Sequence, residues 1–215
     1  MSKHRLSKAP PARELIAQEA ARILLESGSR NYLQAKRKAA HRLGISGNRN
    51  LPANQEVERA LADYQRLFQS DTQPDALRDL RQVAVEAMRL LEEFSPRLVG
   101  PVLEGTADRY SEVNLHLFAD AVEDVARFLL DRAIPCEIAE RRLRDARGNL
   151  VSQPEYRLLA GEVPVGLTVF SGPSSRHAPQ SPVDGKPMRR ADLEQVRAVI
   201  AASLEREDAA AEGAD

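Results

Sequence analysis

The sequence predicts an α+β protein: an N-terminal helical region over residues 1–95, then a mixed β-sheet with packed helices over residues 96–204, and an acidic tail over 205–215. Three observations carry the prediction. Up to Phe94 the apolar residues recur at the three- and four-residue spacing of helices. From Leu98 they alternate or run in short stretches, as in strands. Beyond a connector rich in proline and glycine, the helical period returns.

In the first helix Ile16, Ala20, Ile23 and Leu24 share a stripe, with Pro10 and Pro11 in front and Gly28 placed as a left-handed stop. A second helix starts at an Asn31 cap and turns Leu33, Ala39, Ala40 and Leu43 inward, ending at Gly44 with Ile45 beyond it. The third, after Pro52, places Val57, Leu61, Tyr64 and Phe68 on one face. The fourth starts near Asp75, buries Leu77, Leu80, Ala84, Ala87, Met88 and Leu91, and is ended by Ser95-Pro96. Residues 12–94 are thereby expected to fold as one helical unit.

Leu103 to Phe118 then reads as a strand, a Gly-Thr turn and a second strand, after the short apolar run Val99 to Gly105. Glu112 to Phe118 alternates strictly, which turns Val113, Leu115 and Leu117 to the core and groups Glu112, Asn114 and His116 on the opposite face. An amphipathic helix, Val122 to Leu130, is expected to pack on the core face. Three strands follow: Pro135 to Arg144, with charges on alternating sides, Tyr156 to Leu159, and Val163 to Phe170. The connector 171–189 leads to a last helix from about Arg190 to Leu204, and the acidic tail from Glu205 has little to bury and is expected to fray.

Composition allows a real core, with 42% apolar residues in 215, although aromatics make up only 4%. No apolar stretch approaches the roughly 20 residues that cross a bilayer, and the start MSKHRLSK lacks the apolar block of a secretory signal. A cytoplasmic protein with no membrane contact is expected. The single Cys136 excludes an internal disulfide and reads as a buried structural thiol. Net charge is −1, but the first fifty residues carry roughly +8 by count, which predicts a basic face.

The small-residue turn Gly105-Thr106, the run Ser111-Glu112-Val113-Asn114-Leu115 and the strand Val163 to Phe170 occur in an order that resembles the nucleotidyltransferase superfamily, the group with a polymerase-beta-like fold. The resemblance covers residues 96–170. It implies that Gly105, Thr106 and Ser111 bind a nucleotide, and that Glu112 and Asn114 are the catalytic, metal-ligating positions for Mg2+ or Mn2+. Two-metal transfer needs hard anionic ligands on a rigid frame, and a strand provides such a frame. Where the family carries three carboxylates, this chain has Glu112, Asn114 and, at the third position, Gly166, and the turn loop Ala107 to Ser111 is trimmed. The resemblance thus implies a catalytically impaired protein that acts by binding. The alternative is an active, metal-dependent transferase moving a nucleoside monophosphate to a protein, RNA or small molecule. Asp108, His116, Asp120 and Glu162 are the nearby side chains that could replace lost ligands.

Two further segments suggest contacts with anions. Gln34 to Ile45 sets Lys36, Arg37, Lys38, His41 and Arg42 outward, a possible nucleic-acid surface of the phosphate-neutralising kind. In the connector, Asp184-Gly185 marks a tight turn, and Lys186, Arg189 and Arg190 gather before the last helix. This stretch is either an anion site or a proline-stiffened strap holding that helix to the sheet, and the strap is the favoured reading.

Overall fold

The computed structural model describes residues 11–27, 31–45, 50–68, 73–172 and 177–212, without the side chains of residues 66–68 and 207–212. The expected stop at Gly28, Pro10, the side chain of Phe68, the cations Lys3, Arg5, Lys8, Arg30 and Arg49, residues 173–176 of the connector and the last three residues of the tail lie outside the described residues. The chain divides into two compact units, Met1–Gln69 and Ser70–Asp215.

The first unit holds α1 (Ala12–Ser27), α2 (Tyr32–Arg42) and α3 (Asn54–Phe68). Ile16, Ala20, Ile23 and Leu24 of α1 are buried, as are Ala39 of α2 and Val57 and Leu61 of α3. The Asn31 side chain caps α2 by accepting from the Gln34 N–H at 3.1 Å. At its other end Gly44 is left-handed, and the Ile45 N–H reaches back to the Ala40 carbonyl at 2.9 Å. Leu33 and Leu43 depart from expectation. They are 50% and 40% exposed, because the short Ala35 and Ala39 face makes the contact with α1.

The fourth helix, α4 (Gln73–Leu90), belongs to the second unit, so the unit boundary lies at 69/70 and not at 95. Its Leu80, Ala84, Val85 and Met88, with Leu91 just beyond, enter the hydrophobic core of the sheet. The stripe that made it look like a partner for the first three helices is covered by strands. The sheet consists of β1 (Arg97–Val99), β2 (Val113–Ala119), β3 (Glu137–Arg144), β4 (Leu150–Ala160) and β5 (Val163–Ser171), in the order β1-β2-β5-β4-β3. Only β2 and β5 are parallel; the other pairs are antiparallel. Val113, Leu115 and Leu117 are fully buried, and α6 (Val122–Asp131) joins them in one core through Val125, Phe128 and Leu129. Each such side chain contributes about 1.5–3 kcal/mol, which pins the register of β2.

Three elements and the environment of one side chain differ from the sequence reading. Leu103-Glu104 is the end of a short helix, α5 (Pro101–Glu104), and not a strand: Pro101 presets the first turn and Gly105, left-handed at φ 85°, closes it. Strand β4 starts six residues before Tyr156, since Ser152 and Pro154 are accommodated in the ladder with β3. The last helix, α7 (Leu193–Glu212), starts later than Arg190 and continues through the acidic stretch, whose alanines and glutamates favour helix. Its start is fixed by a reciprocal cap, Gln195 N–H to Asp192 Oδ1 and Asp192 N–H to Gln195 Oε1. Finally Cys136 is exposed, because the core is filled from this loop by Ile134 instead.

The connector is a strap. Gln180 pairs with Arg144 at the end of β3, the chain turns back through Asp184-Gly185, and Ala191 pairs with Leu98 of β1 through two hydrogen bonds of 2.8 and 3.0 Å. It links the two edge strands of the sheet and carries Arg190 onto the polar face of β2.

Candidate functional site on the polar face of strand β2

Alternation along β2 sets Glu112, Asn114 and His116 beside Gly166 and Thr168 of β5, with Asn114 opposite Gly166 in the parallel register. The three positions expected from the resemblance are therefore adjacent. A side chain at Gly166 would begin 3.0 Å from Glu112 Oε1, so the missing side chain is the space in which the Glu112 carboxylate sits.

That carboxylate faces a guanidinium. Arg141 Nη1 lies 3.5 Å from Glu112 Oε2 and 2.8 Å from Glu155 Oε1, and Arg157 Nη2 lies 2.8 Å from Glu155 Oε2. Glu155 is fully buried, and its two oxygens are shared between the two arginines. Asn114 turns its amide back onto its own strand, Nδ2 donating to the Glu112 carbonyl at 3.0 Å, and its buried Oδ1 makes no hydrogen bond. Next along the face, His116 Nδ1 accepts from Arg190 Nε at 3.1 Å. Burial, with Arg190 and Arg141 adding repulsion, holds the imidazole pKa well below its ordinary value, so the ring is neutral. Arg190 lies 4.9 Å from the ring centroids of both Phe118 and Phe170. Burial and Arg97 push its pKa down to about 10, and its buried Nη2 makes no hydrogen bond.

The positions expected to bind a nucleotide are otherwise engaged. The Gly105 and Thr106 N–H groups both donate to the Pro101 carbonyl, closing α5, while Gln73 Nε2 holds the Gly105 and Ala107 carbonyls. Ser111 donates to Asp108 Oδ1 and accepts from the Asp108 N–H, which closes the trimmed loop on itself. The turn is a helix stop, not an open cradle of N–H groups.

The residues present do not fit a pair of divalent ions. Glu112 has Arg141 as its counter-ion, Asn114 brings no charge, and Gly166 brings no donor. The replacement ligands are dispersed: Asp108 holds its loop, His116 is bound to Arg190, Asp120 lines a separate cleft beside α6, and Glu162 sits in the β4–β5 turn. Among the described residues no three His, Cys, Asp or Glu side chains converge as a metal site.

The basic helix is also partly spent within its own unit. Lys36 Nζ donates to the Pro52 carbonyl at 2.9 Å and to Asn54 Oδ1 at 2.7 Å, and burial lowers its pKa. Arg42 pairs with Glu19 at 2.9 Å. Arg37 and Lys38 remain exposed. The α7 start offers no anion site of the expected kind, because Asp192 caps it.

Sequence reasoning missed Arg141, Glu155 and Arg157 as members of the site. The signal was present: Glu155 and Arg157 flank the core residue Tyr156 two apart, so both project from the same face. Compared with protein families, curated proteins and solved structures, the chain matches none of them. No helix among the described residues is long and apolar enough to cross a membrane.

Proposed function

We propose that this chain is a nucleotidyltransferase-fold protein that acts by binding a nucleotide in the cytoplasm, without metal-dependent transfer. The observation that carries the reading is the adjacency of Glu112, Asn114 and Gly166 across the β2–β5 pair, with Arg141 as the counter-ion of Glu112. Arginine in that place neutralises Glu112 without a metal, and Arg190, whose buried Nη2 makes no hydrogen bond, is the cation on the same face suited to a phosphate group. The exposed free Cys136 fits a reducing compartment.

Calorimetric titration with ATP, CTP, GTP and UTP, with and without Mg2+ or Mn2+, tests this. Binding of at least one nucleotide that persists without metal, and no metal-dependent labelling of any acceptor, is the expected result. Robust labelling abolished by Glu112→Ala would replace the binding reading with an active transferase. The double variant Asn114→Asp, Gly166→Asp sharpens the test. It crowds carboxylates where a side chain at 166 would begin 3.0 Å from Glu112, so it should lose stability without metal and regain it with Mn2+.

A further inference from the structure

A second concentration of positive charge lies away from β2, in a cavity of about 460 Å³ between α4, α7 and the Gly105 turn. Its central side chain is Arg81, which is only 5% exposed. Arg81 Nε donates to the Val102 carbonyl at 3.1 Å and Nη1 to Ser203 Oγ at 2.9 Å. Among the described residues Nη2 makes no hydrogen bond, and it lies 3.7 Å from where a side chain at Gly105 would begin. Among the described residues no carboxylate pairs with Arg81. Its charged neighbours are cations: burial, then Arg206, then Arg189, all push its pKa down. Arg206 lines the same cavity, where its Nε donates to the Ala202 carbonyl. A buried guanidinium with cations and, among the described residues, no carboxylate as its charged neighbours is an arrangement that a fold does not keep for stability alone.

The rest of the cavity says what kind of anion would fit. Leu77 and Ile200 give it an apolar wall, and its volume falls in the range of small-molecule sites. Glycine at 105 leaves the floor beside Arg81 Nη2 open. Arg78, at the rim, is already held by Asp75 at 3.3 Å. Glu104 is the one carboxylate among the described lining residues. We propose that this cavity binds the phosphate group of a small phosphorylated metabolite, with Arg81 and Arg206 gripping the oxyanion, the Ser203 hydroxyl beside it, and Leu77 and Ile200 against the organic part. The site is built by α4 and α7 and does not depend on the reading of the β2 face.

The test is calorimetry of the whole chain with inorganic phosphate and with pyrophosphate at low ionic strength, backed by thermal unfolding with the same two anions. Pyrophosphate should bind more tightly than phosphate and raise the unfolding temperature. Arg206→Ala, an exposed position, should weaken pyrophosphate binding about tenfold, the loss expected for one charge-assisted contact. Arg81→Gln should abolish it, and if that variant fails to fold, Arg206→Ala decides the matter. No heat and no thermal shift with either anion would overturn the proposal, as would equal affinity in the natural chain and Arg206→Ala. Pyrophosphate binding lost in Arg190→Ala but kept in Arg206→Ala would also overturn it, by moving the anion to the β2 face.

Discussion

The polar face of the sheet and the α4–α7 cavity both gather arginine, but they neutralise it differently. On the sheet, Arg141 and Arg157 share the fully buried carboxylate of Glu155, and Arg141 also meets Glu112. In the cavity, Arg81 has two neutral acceptors and other cations for company. The first arrangement closes its electrostatics within the chain. The second leaves charge to be met from outside. Paired arginines thus mark where the fold is held, and unpaired ones mark where a ligand is expected.

The widest test of that contrast removes the cations from the sheet. Arg141→Ala with Arg157→Ala strands the Glu155 carboxylate, fully buried, without a partner, and should cost about 3–5 kcal/mol in urea unfolding. Adding Glu155→Gln to the double variant should recover a large part of that loss, because a neutral amide is far cheaper to bury than a charge. A double variant as stable as the natural chain would show that the network adds nothing, and the two regions would no longer differ in kind.

His116 gives a smaller effect with a defined pH window. Its folded pKa is lowered below 6.5 by burial and by Arg190 and Arg141, so the unfolded chain binds the proton first as pH falls. The sign follows: the stability it contributes is fully present above about pH 6.5 and is lost as pH falls from there toward the folded value, at up to about 1.4 kcal/mol per pH unit. Urea unfolding between about pH 7.5 and 5.5, roughly the span where the ordinary carboxylates stay ionised, should show this slope, and His116→Gln should flatten it. An unchanged slope in the variant would mean that His116 takes up its proton alike in the folded and unfolded chain and that Arg190 does not press on it.

Alternation and helical period made most of the fold legible. Val113, Leu115 and Leu117 are buried where the two-residue period put them, and the caps at Asn31 and Gly44 are formed by the residues expected. What sequence could not give was partnership. The stripe on α4 is the same whether helices or strands cover it, so the pattern places the boundary after residue 95 while the compact units divide after Gln69. Gly105-Thr106 reads alike as a phosphate turn or a helix stop, and only the N–H groups bound to the Pro101 carbonyl distinguish them. The polar site was legible along β2 alone, since Arg141, Glu155 and Arg157 reach it through strand pairings far apart in the chain.

The smallest effect asks whether the same rule, paired cation against free cation, holds in the first unit. In α2, Lys36 is tied to the Pro52 carbonyl and Asn54, linking α2 to the start of α3, whereas Arg37 and Lys38 are exposed. Lys36→Met should therefore cost about 1 kcal/mol, the net value of such hydrogen bonds, while Arg37→Ala with Lys38→Ala should stay within about 0.5 kcal/mol of the natural chain. Nucleic-acid binding should divide in the opposite way. If a generic duplex binds at low salt, the Arg37 and Lys38 changes should weaken it regardless of sequence and reduce its salt dependence, because exposed cations release counterions on binding phosphate. Lys36→Met should weaken it less, as that ammonium is already committed. Duplex binding that depends on Lys36 as strongly as on Arg37 and Lys38 would mean that the Pro52 and Asn54 contacts open on binding, and the distinction between structural and available cations would fail in this unit.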